Sequence, residues 1–393
     1  MTRRYELDWI RIHAFLLLVL YHVGMYYVTW DWHIKSPFAS DTIEPLMLAS
    51  SPWRLSLLFL VSGVAAAHLL GKQGAGFAGA RSRRLLIPLL FGMLVIVPPQ
   101  SYFEVVEKLP GGFHDGYLAF WTRYLGGDDS FCREGDCLDL PTWNHLWFVA
   151  YLWCYCMLMA VLAAVIPTRM KASLLRGAAA LCSGTRLLWM PVILLGLARI
   201  ILFGIFGSTH GLFGDWYNHA QYGLVFAIGV LLAHDASVWS RLEAARWPML
   251  LLAAASYAGL VVYFSTASDD PPSALRMGMR LVWAAFQWAA IAAIVGWAQR
   301  WRAHDSAARR YLTEAVFPVY ILHQTLIILL AEAMRPLGAP PIVEGPLLAV
   351  ATLALCFGLF EIIRRIGVLR PLFGLQTRAT SPRPANVAQV QPG

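Results

Sequence analysis

Three side chains near the amino terminus are spaced for acid–base chemistry. Asp8, Arg11 and His22 fall in Leu7-Asp8-Trp9-Ile10-Arg11-Ile12-His13 and the apolar run that follows it to Tyr21-His22. In an α-helix Arg11 and His22 lie about three turns apart, at ~3.6 residues per turn, and share a face. Asp8 joins that face one turn before Arg11, whereas His13 points to the other side. An imidazole, with an unperturbed pKa of about 6.5, can take a hydroxyl proton or carry an acyl group transiently. A guanidinium can hold a carbonyl or phosphate oxygen, and a carboxylate can orient that guanidinium. A helix rises about 21 Å from Asp8 to His22, which carries His22 well across a hydrocarbon core of ~30 Å. Ionisable groups inside a membrane segment are costly and mark function by default. The plainer alternative is a snorkelling Asp8–Arg11 pair with a structurally bonded histidine.

The elements that must position these groups are membrane helices. With 58% hydrophobic and 14% charged residues and a mean hydropathy of +0.57, a soluble globular chain is excluded. Ten candidate spans lie near 9–30, 51–70, 84–104, 145–166, 187–207, 217–234, 248–265, 277–298, 312–334 and 345–363, each about 20 residues. The expectation is an all-α polytopic integral membrane protein in a lipid bilayer, with one membrane domain over 1–376 and a disordered cytoplasmic tail over 377–393, polar and proline-containing. The net charge of +8 does not call for nucleic acid. With the amino terminus inside, the inner segments hold Arg81, Arg83, Arg84, Arg169, Lys171, Arg176, Arg186, Arg241, Arg246, Arg300, Arg309 and Arg310. The outer segment 107–139 is acidic through Glu107, Asp115, Asp128, Asp129, Glu134, Asp136 and Asp139. That asymmetry is the positive-inside pattern and predicts that both termini are cytoplasmic. The amino-terminal run is too long for a signal peptide, and Asp8 and Arg11 are misplaced in one.

Other polar residues punctuate the apolar runs. Arg54 opens the second span near the outer boundary, where it either snorkels or lines the cavity, and Ser62-Gly63 within it would let a neighbouring helix approach closely. Arg81 and Arg84 open the third span, where they either hold the loop inside or bind the phosphates of a donor such as a coenzyme. That span ends on Val97-Pro98-Pro99, a kink or break. The connection over 105–143 is long enough to be a lid or an acceptor surface. It ends in Thr142-Trp143-Asn144-His145-Leu146-Trp147-Phe148, a composition that suits sugar stacking as well as an interfacial aromatic belt. His323 lies in the ninth span, and Arg199, Arg276, Arg280 and Gln287 make the bundle interior polar. Cys132 and Cys137 sit close enough in the outer segment for a disulfide. Cys154, Cys156, Cys182 and Cys356 read as packing residues, and no Cys/His spacing suits a metal. Ten spans with intramembrane polar groups would also serve a transporter or flippase of a glycan or lipid precursor, although no inverted repeat is visible.

Leu7-Asp8-x-x-Arg11 followed by His22, with Arg81-x-x-Arg84, resembles the acyltransferase 3 family. Further stretches of that resemblance are Trp32-His33-Ile34-Lys35-Ser36, Trp53-Arg54, His145-Leu146-Trp147-Phe148 and Tyr320-Ile321-Leu322-His323. It spans nearly the whole chain. What it implies is an O-acyltransferase of a bacterial inner membrane, with acyl-CoA (succinyl-CoA or acetyl-CoA) as cytoplasmic donor and no tightly bound cofactor. The acceptor it implies is a periplasmic glucan or other envelope glycan. Expected roles are catalysis for His22, Arg11 and Asp8, donor binding for Arg81 and Arg84, and substrate binding for Arg54, His145 and His323. The loop holding Cys132 and Cys137 departs from the pattern, at a place where acceptor choice would be set.

Overall fold

Where water is absent, a chain must satisfy its own backbone, and this one does so almost entirely as helices. The computed structural model describes residues 4–133, 136–181, 183–268, 270–301 and 304–377, so Cys182 and the tail from 378 onward lie outside the described residues. The helices are α1 (Tyr5–Tyr27), α2 (Glu44–Leu48), α3 (Arg54–Gln73), α4 (Phe77–Phe91), α5 (Pro98–Lys108), α6 (Tyr117–Leu125), α7 (Trp147–Val165) and α8 (Thr168–Leu181). They continue as α9 (Arg186–Phe206), α10 (Trp216–Leu232), α11 (Ala236–Thr266), α12 (Ser273–Trp301), α13 (Ala307–Met334), α14 (Pro341–Ile363) and α15 (Leu369–Leu372). Between α6 and α7, β1 (Cys132–Arg133) and β2 (Asp136–Cys137) pair antiparallel, and Cys132 is disulfide-bonded to Cys137.

Among the described residues, eight segments are long and apolar enough to cross a membrane, against the ten expected. The expected second and third spans fall within one 55-residue run, Arg54–Lys108. Straight, such a run would extend about 80 Å, far beyond a hydrocarbon core of ~30 Å. It is broken at Gly74, whose φ of 52° is open to glycine at little cost. The expected sixth span folds as α10, only 17 residues long.

α1 runs through the middle of the bundle, against α3, α12, α13 and α14. A close crossing joins α3 to α10. A methyl group on Gly63 would overlap the carbonyl oxygen of Phe226, and one on Gly229 would overlap that of Leu60. The close approach expected of Ser62-Gly63 is therefore made by Gly63, reciprocated from α10. Backbone atoms cannot step aside as a flexible side chain can, so Gly229→Ala should destabilise by about 1–3 kcal/mol. Its melting midpoint in detergent should fall well below that of Gly358→Ala, a position with open space around it. Equal midpoints would contradict this packing.

The Pro98-Pro99 pair does more than kink a helix. Lacking N–H groups, the two prolines cannot bond the carbonyls of Leu94 and Val95 one turn back. The chain widens into a π turn over Gly92–Ile96, closed by Val97 N–H donating to Gly92 O at 2.8 Å. Other side chains take the freed carbonyls. Trp121 Nε1 donates to Leu94 O at 3.0 Å, Tyr124 Oη to Met93 O at 2.8 Å, and Thr325 Oγ1 to Ile96 O at 2.7 Å. Trp121 and Tyr124 belong to α6, which also packs Phe120 and Tyr124 against Val105 of α5 and Phe131. The long outer connection is thus bolted to the helix break.

Candidate active site

α1 brings His22 against His323 of α13, with His22 Nδ1 2.8 Å from His323 Nε2. His323 Nδ1 lies 2.7 Å from the carbonyl oxygen of Tyr320, one turn earlier on its own helix. A carbonyl oxygen only accepts, so His323 Nδ1 carries the hydrogen, and the Nε2 of this neutral ring is an acceptor. His22 Nδ1 must then donate to it. The remaining nitrogen, His22 Nε2, keeps its lone pair, and among the described residues nothing hydrogen-bonds it. His22 lines a cavity of about 1060 Å³. This is the arrangement of a base held in one tautomer by a second group.

A second polar chain runs beside the pair. His145 Nε2 donates to Ile321 O at 3.1 Å, and Gln100 Nε2 approaches His145 Nδ1 at 3.3 Å and Thr325 Oγ1 at 2.7 Å. Gln100 Oε1 accepts from Asn144 Nδ2 at 3.1 Å and from Gln324 Nε2 at 3.0 Å. Gln324 Nε2 also lies 2.8 Å from His33 Nε2, and His33 Nδ1 donates to Glu104 Oε2 at 2.5 Å. Lys108 Nζ, one turn on, reaches Glu104 Oε1 at 3.3 Å. The break before α5 is what turns Gln100 toward α13 and Glu104 toward the loop after α1. Near this end, Lys35 donates from Nζ to the carbonyls of Met25 and Val28 and so caps α1. Burial pulls its pKa down to about 8.

The cavity opens among α1, α3, α7, α9, α10, α12 and α13, and Trp32, Trp143, Trp147 and Phe148 give it aromatic walls. Arg54 lines it and is 3% exposed, so it does not snorkel. Its guanidinium lies 3.6 Å from the centre of the Tyr21 ring, donates to Ser50 Oγ at 2.9 Å and stands within electrostatic reach of His22. Arg54 Nε is buried and, among the described residues, has no hydrogen-bond partner. His210, on the loop before α10, stacks on Trp147 with ring centres 4.3 Å apart. Burial lowers its pKa, against an opposing pull from Asp215. His210 and Asn144 both line the cavity with positive φ, 58° and 39°, conformations sparsely populated by residues with side chains and held here by their surroundings. For His210 those surroundings include Asp215 Oδ2, which accepts from its N–H at 2.9 Å, and Trp143 Nε1, which donates to its carbonyl at 3.1 Å.

The other expected residues gather at the opposite end of α1, where Asp8 lies about 21 Å and Arg11 about 16 Å along the helix from His22. Asp8 pairs with Arg11 at 3.6 Å and with Arg309 of α13, which Asp305 also holds. Arg84 is exposed and lies within electrostatic reach of Arg81 and Arg11. Arg81 contacts Cys156 of α7. Of the residues expected from sequence, His22, Arg54 and His145 therefore meet at the cavity, while Asp8, Arg11, Arg81 and Arg84 form a separate basic end. His323 is fully buried with both ring nitrogens engaged, which places it behind His22 and not on the cavity wall. His13 is exposed and bonds Trp9 O, on the outer side of α1 as expected.

Gln100, Glu104, Gln324 and His210 were not singled out as site residues by sequence, and Arg199 was read only as one of the groups that make the interior polar. The available signals were the four-residue spacing of Gln100 and Glu104 after the proline pair, and the adjacency of Gln324 to His323.

The family described as "Acyltransferase domain" (Acyl_transf_3) matches residues 4–361 of the chain. The chain belongs to the acyltransferase 3 family. Neither the search of curated proteins nor that of solved structures finds a match. The match covers every residue of the cavity and of the basic end, so both belong to a multi-pass membrane acyltransferase, and the transporter alternative gives way to it.

Proposed function

We propose that this acyltransferase moves an acyl group, succinyl or acetyl, from cytoplasmic acyl-CoA to a hydroxyl of a periplasmic or envelope glycan, with His22 as its base. The observation that carries this reading is the uncommitted Nε2 of His22, fixed as a lone pair facing the cavity by the His22–His323–Tyr320 relay. An acceptor hydroxyl at Nε2 would give up its proton as its oxygen attacks the thioester carbonyl. The departing thiolate then takes that proton back from Nε2. The same lone pair would serve an acyl-imidazole route. Positive charge is needed where the oxyanion develops, and Arg54, with its free Nε, is the guanidinium near His22. Arg11 stands three turns away, so its place is with Arg81 and Arg84 at the donor's phosphates, oriented by Asp8. A pantetheine arm entering there would bring the thioester along α1 toward His22. The aromatic walls would receive the sugar, with His145, whose ring nitrogens are both engaged, offering its ring edge on the cavity lining.

In this reading the acceptor faces outward, both termini lie in the cytoplasm of a bacterial cell, and ten crossings are made by counting α3 and α4 separately and admitting α10. The basic residues near α4 and α13 and the acidic 107–139 segment support that orientation. The stretches of resemblance look like those of glucan biosynthesis protein C, the membrane succinyltransferase of periplasmic glucans, which makes a glucan the first acceptor to test.

The experiment is mass spectrometry of periplasmic glucans and envelope polysaccharides from cells lacking the protein, cells with it restored, and cells carrying His22→Ala. An acyl mass present only with the intact protein identifies acceptor and acyl group together. Identical glycans in all three strains would refute a glycan acceptor.

A further inference from the structure

A second chamber of about 760 Å³ lies beside the main cavity, and Tyr21, Ser51, Arg199, Phe203 and Trp283 line both. Its walls come from α2, α9, α11 and α12, and they combine apolar side chains with guanidiniums. Arg199 sits on α9, 4.0 Å from the centre of the Trp283 ring and 4.5 Å from that of Phe203. It donates to Tyr217 Oη at 2.5 Å, and among the described residues its buried Nε has no hydrogen-bond partner. Arg280, on α12, lies 5.6 Å from the same Phe203 ring and donates to Ile200 O at 3.1 Å. The two guanidiniums are within electrostatic reach of each other.

Both belong to helices apolar enough to cross a membrane, and among the described residues neither has a carboxylate at ion-pair distance. The acids on the chamber wall are placed elsewhere. Asp41 is exposed at the rim, and Glu44 accepts from the N–H of Thr29 at 3.1 Å and from its hydroxyl. Arg276 is exposed and pairs with Asp270 at 3.3 Å. Two like charges around one phenyl ring, in low-dielectric surroundings, repel each other and forgo hydration. An anion between them would remove both costs. Guanidiniums match phosphate oxygens in pairs, and the rest of the wall, including Leu260, Val261 and Phe264, offers hydrocarbon.

We propose that this chamber binds a phosphate-bearing lipid, with the phosphate between Arg199 and Arg280 and the chains along α9 and α11. The site goes beyond acyl transfer and does not depend on it, because binding is read without any acyl donor. The test is native mass spectrometry of the purified full chain offered dioleoylphosphatidylglycerol, undecaprenyl phosphate or dioleoylglycerol. The two phosphate lipids should be retained at least tenfold over the diacylglycerol. Arg280→Gln should cut that retention about tenfold, and Arg280→Lys should keep most of it. Equal retention of both phosphate lipids would make the occupant a bilayer lipid, and a tenfold preference for undecaprenyl phosphate would make it a polyprenyl-phosphate carrier. Either supports the site. Diacylglycerol retained equally, or retention unaltered in both Arg280→Gln and Arg199→Gln, overturns it. Should these variants fail to fold, photoactivatable phosphatidylglycerol on the wild type decides. Labelling of α9, α11 or α12 around Phe203 and Phe264 supports the chamber, and labelling confined to other helices overturns it.

Discussion

His22→Ala should reduce acyl transfer by about 10²–10⁴-fold, the range expected when a positioned base is lost, while the protein inserts, folds and still binds its donor. The contrast with the other end of α1 makes this specific. Arg84 is exposed among Arg81 and Arg11 and remote from the cavity, so Arg84→Ala should weaken binding of the coenzyme with far less effect on saturated turnover. The measurement is paired: equilibrium binding of coenzyme A to each purified variant, and the rate of transfer at saturating donor. A His22→Ala protein of normal turnover would remove the imidazole from the chemistry. One that folds normally but has lost coenzyme binding would move His22 into the donor site instead.

The second large effect concerns a residue that touches no substrate. His323→Leu should lower kcat by roughly 10²-fold while leaving the KM of donor and acceptor within about twofold. Without an acceptor at His323 Nε2, nothing obliges His22 to carry its hydrogen on Nδ1, and a fraction of the rings turn the wrong nitrogen to the cavity. In a serine-protease triad the wrong tautomer costs about 10⁴-fold. The smaller figure here reflects a neutral partner in place of a carboxylate. His323→Gln, whose amide oxygen can accept the same hydrogen, should recover much of the loss. If Leu and Gln variants fall alike and both lose thermal stability, His323 is a packing residue only. The relay would then be incidental.

What the amino-acid sequence disclosed follows from what is costly in a membrane. Asp8, Arg11 and His22 stood out because such residues are rare in apolar runs, and the helix period placed His13 apart from them as found. Arg54 was ambiguous between interface and interior, and only the Tyr21 ring and Ser50 beside it settle the matter. The partner of His22 was out of reach of local reasoning, because the contact spans 301 residues. Arg309 was equally hidden as the second partner of Asp8. The prolines at 98 and 99 announced a break, but not that the freed carbonyls would fasten α6, nor that Gln100 and Glu104 would be turned into the site. Span counting is least direct where periodicity and length disagree. α10 is short, yet its glycine crossing with α3 buries it well.

The His22–His323 relay ends on a backbone carbonyl, and that termination has an energetic consequence. A chain of imidazoles closing on a carboxylate or on water could pass a proton onward across the membrane. This one stops at Tyr320 O, which is already committed within a helix and has no proton to release. A proton taken up at Nε2 must therefore leave from Nε2. In the proposed reaction it leaves with the thiol on the inner side, while the acyl group stays on the outer hydroxyl. For an uncharged acyl group each turnover is an electrically silent exchange of acyl for proton. In that proposed reaction the thioester supplies the driving force, and the membrane voltage is not spent by it.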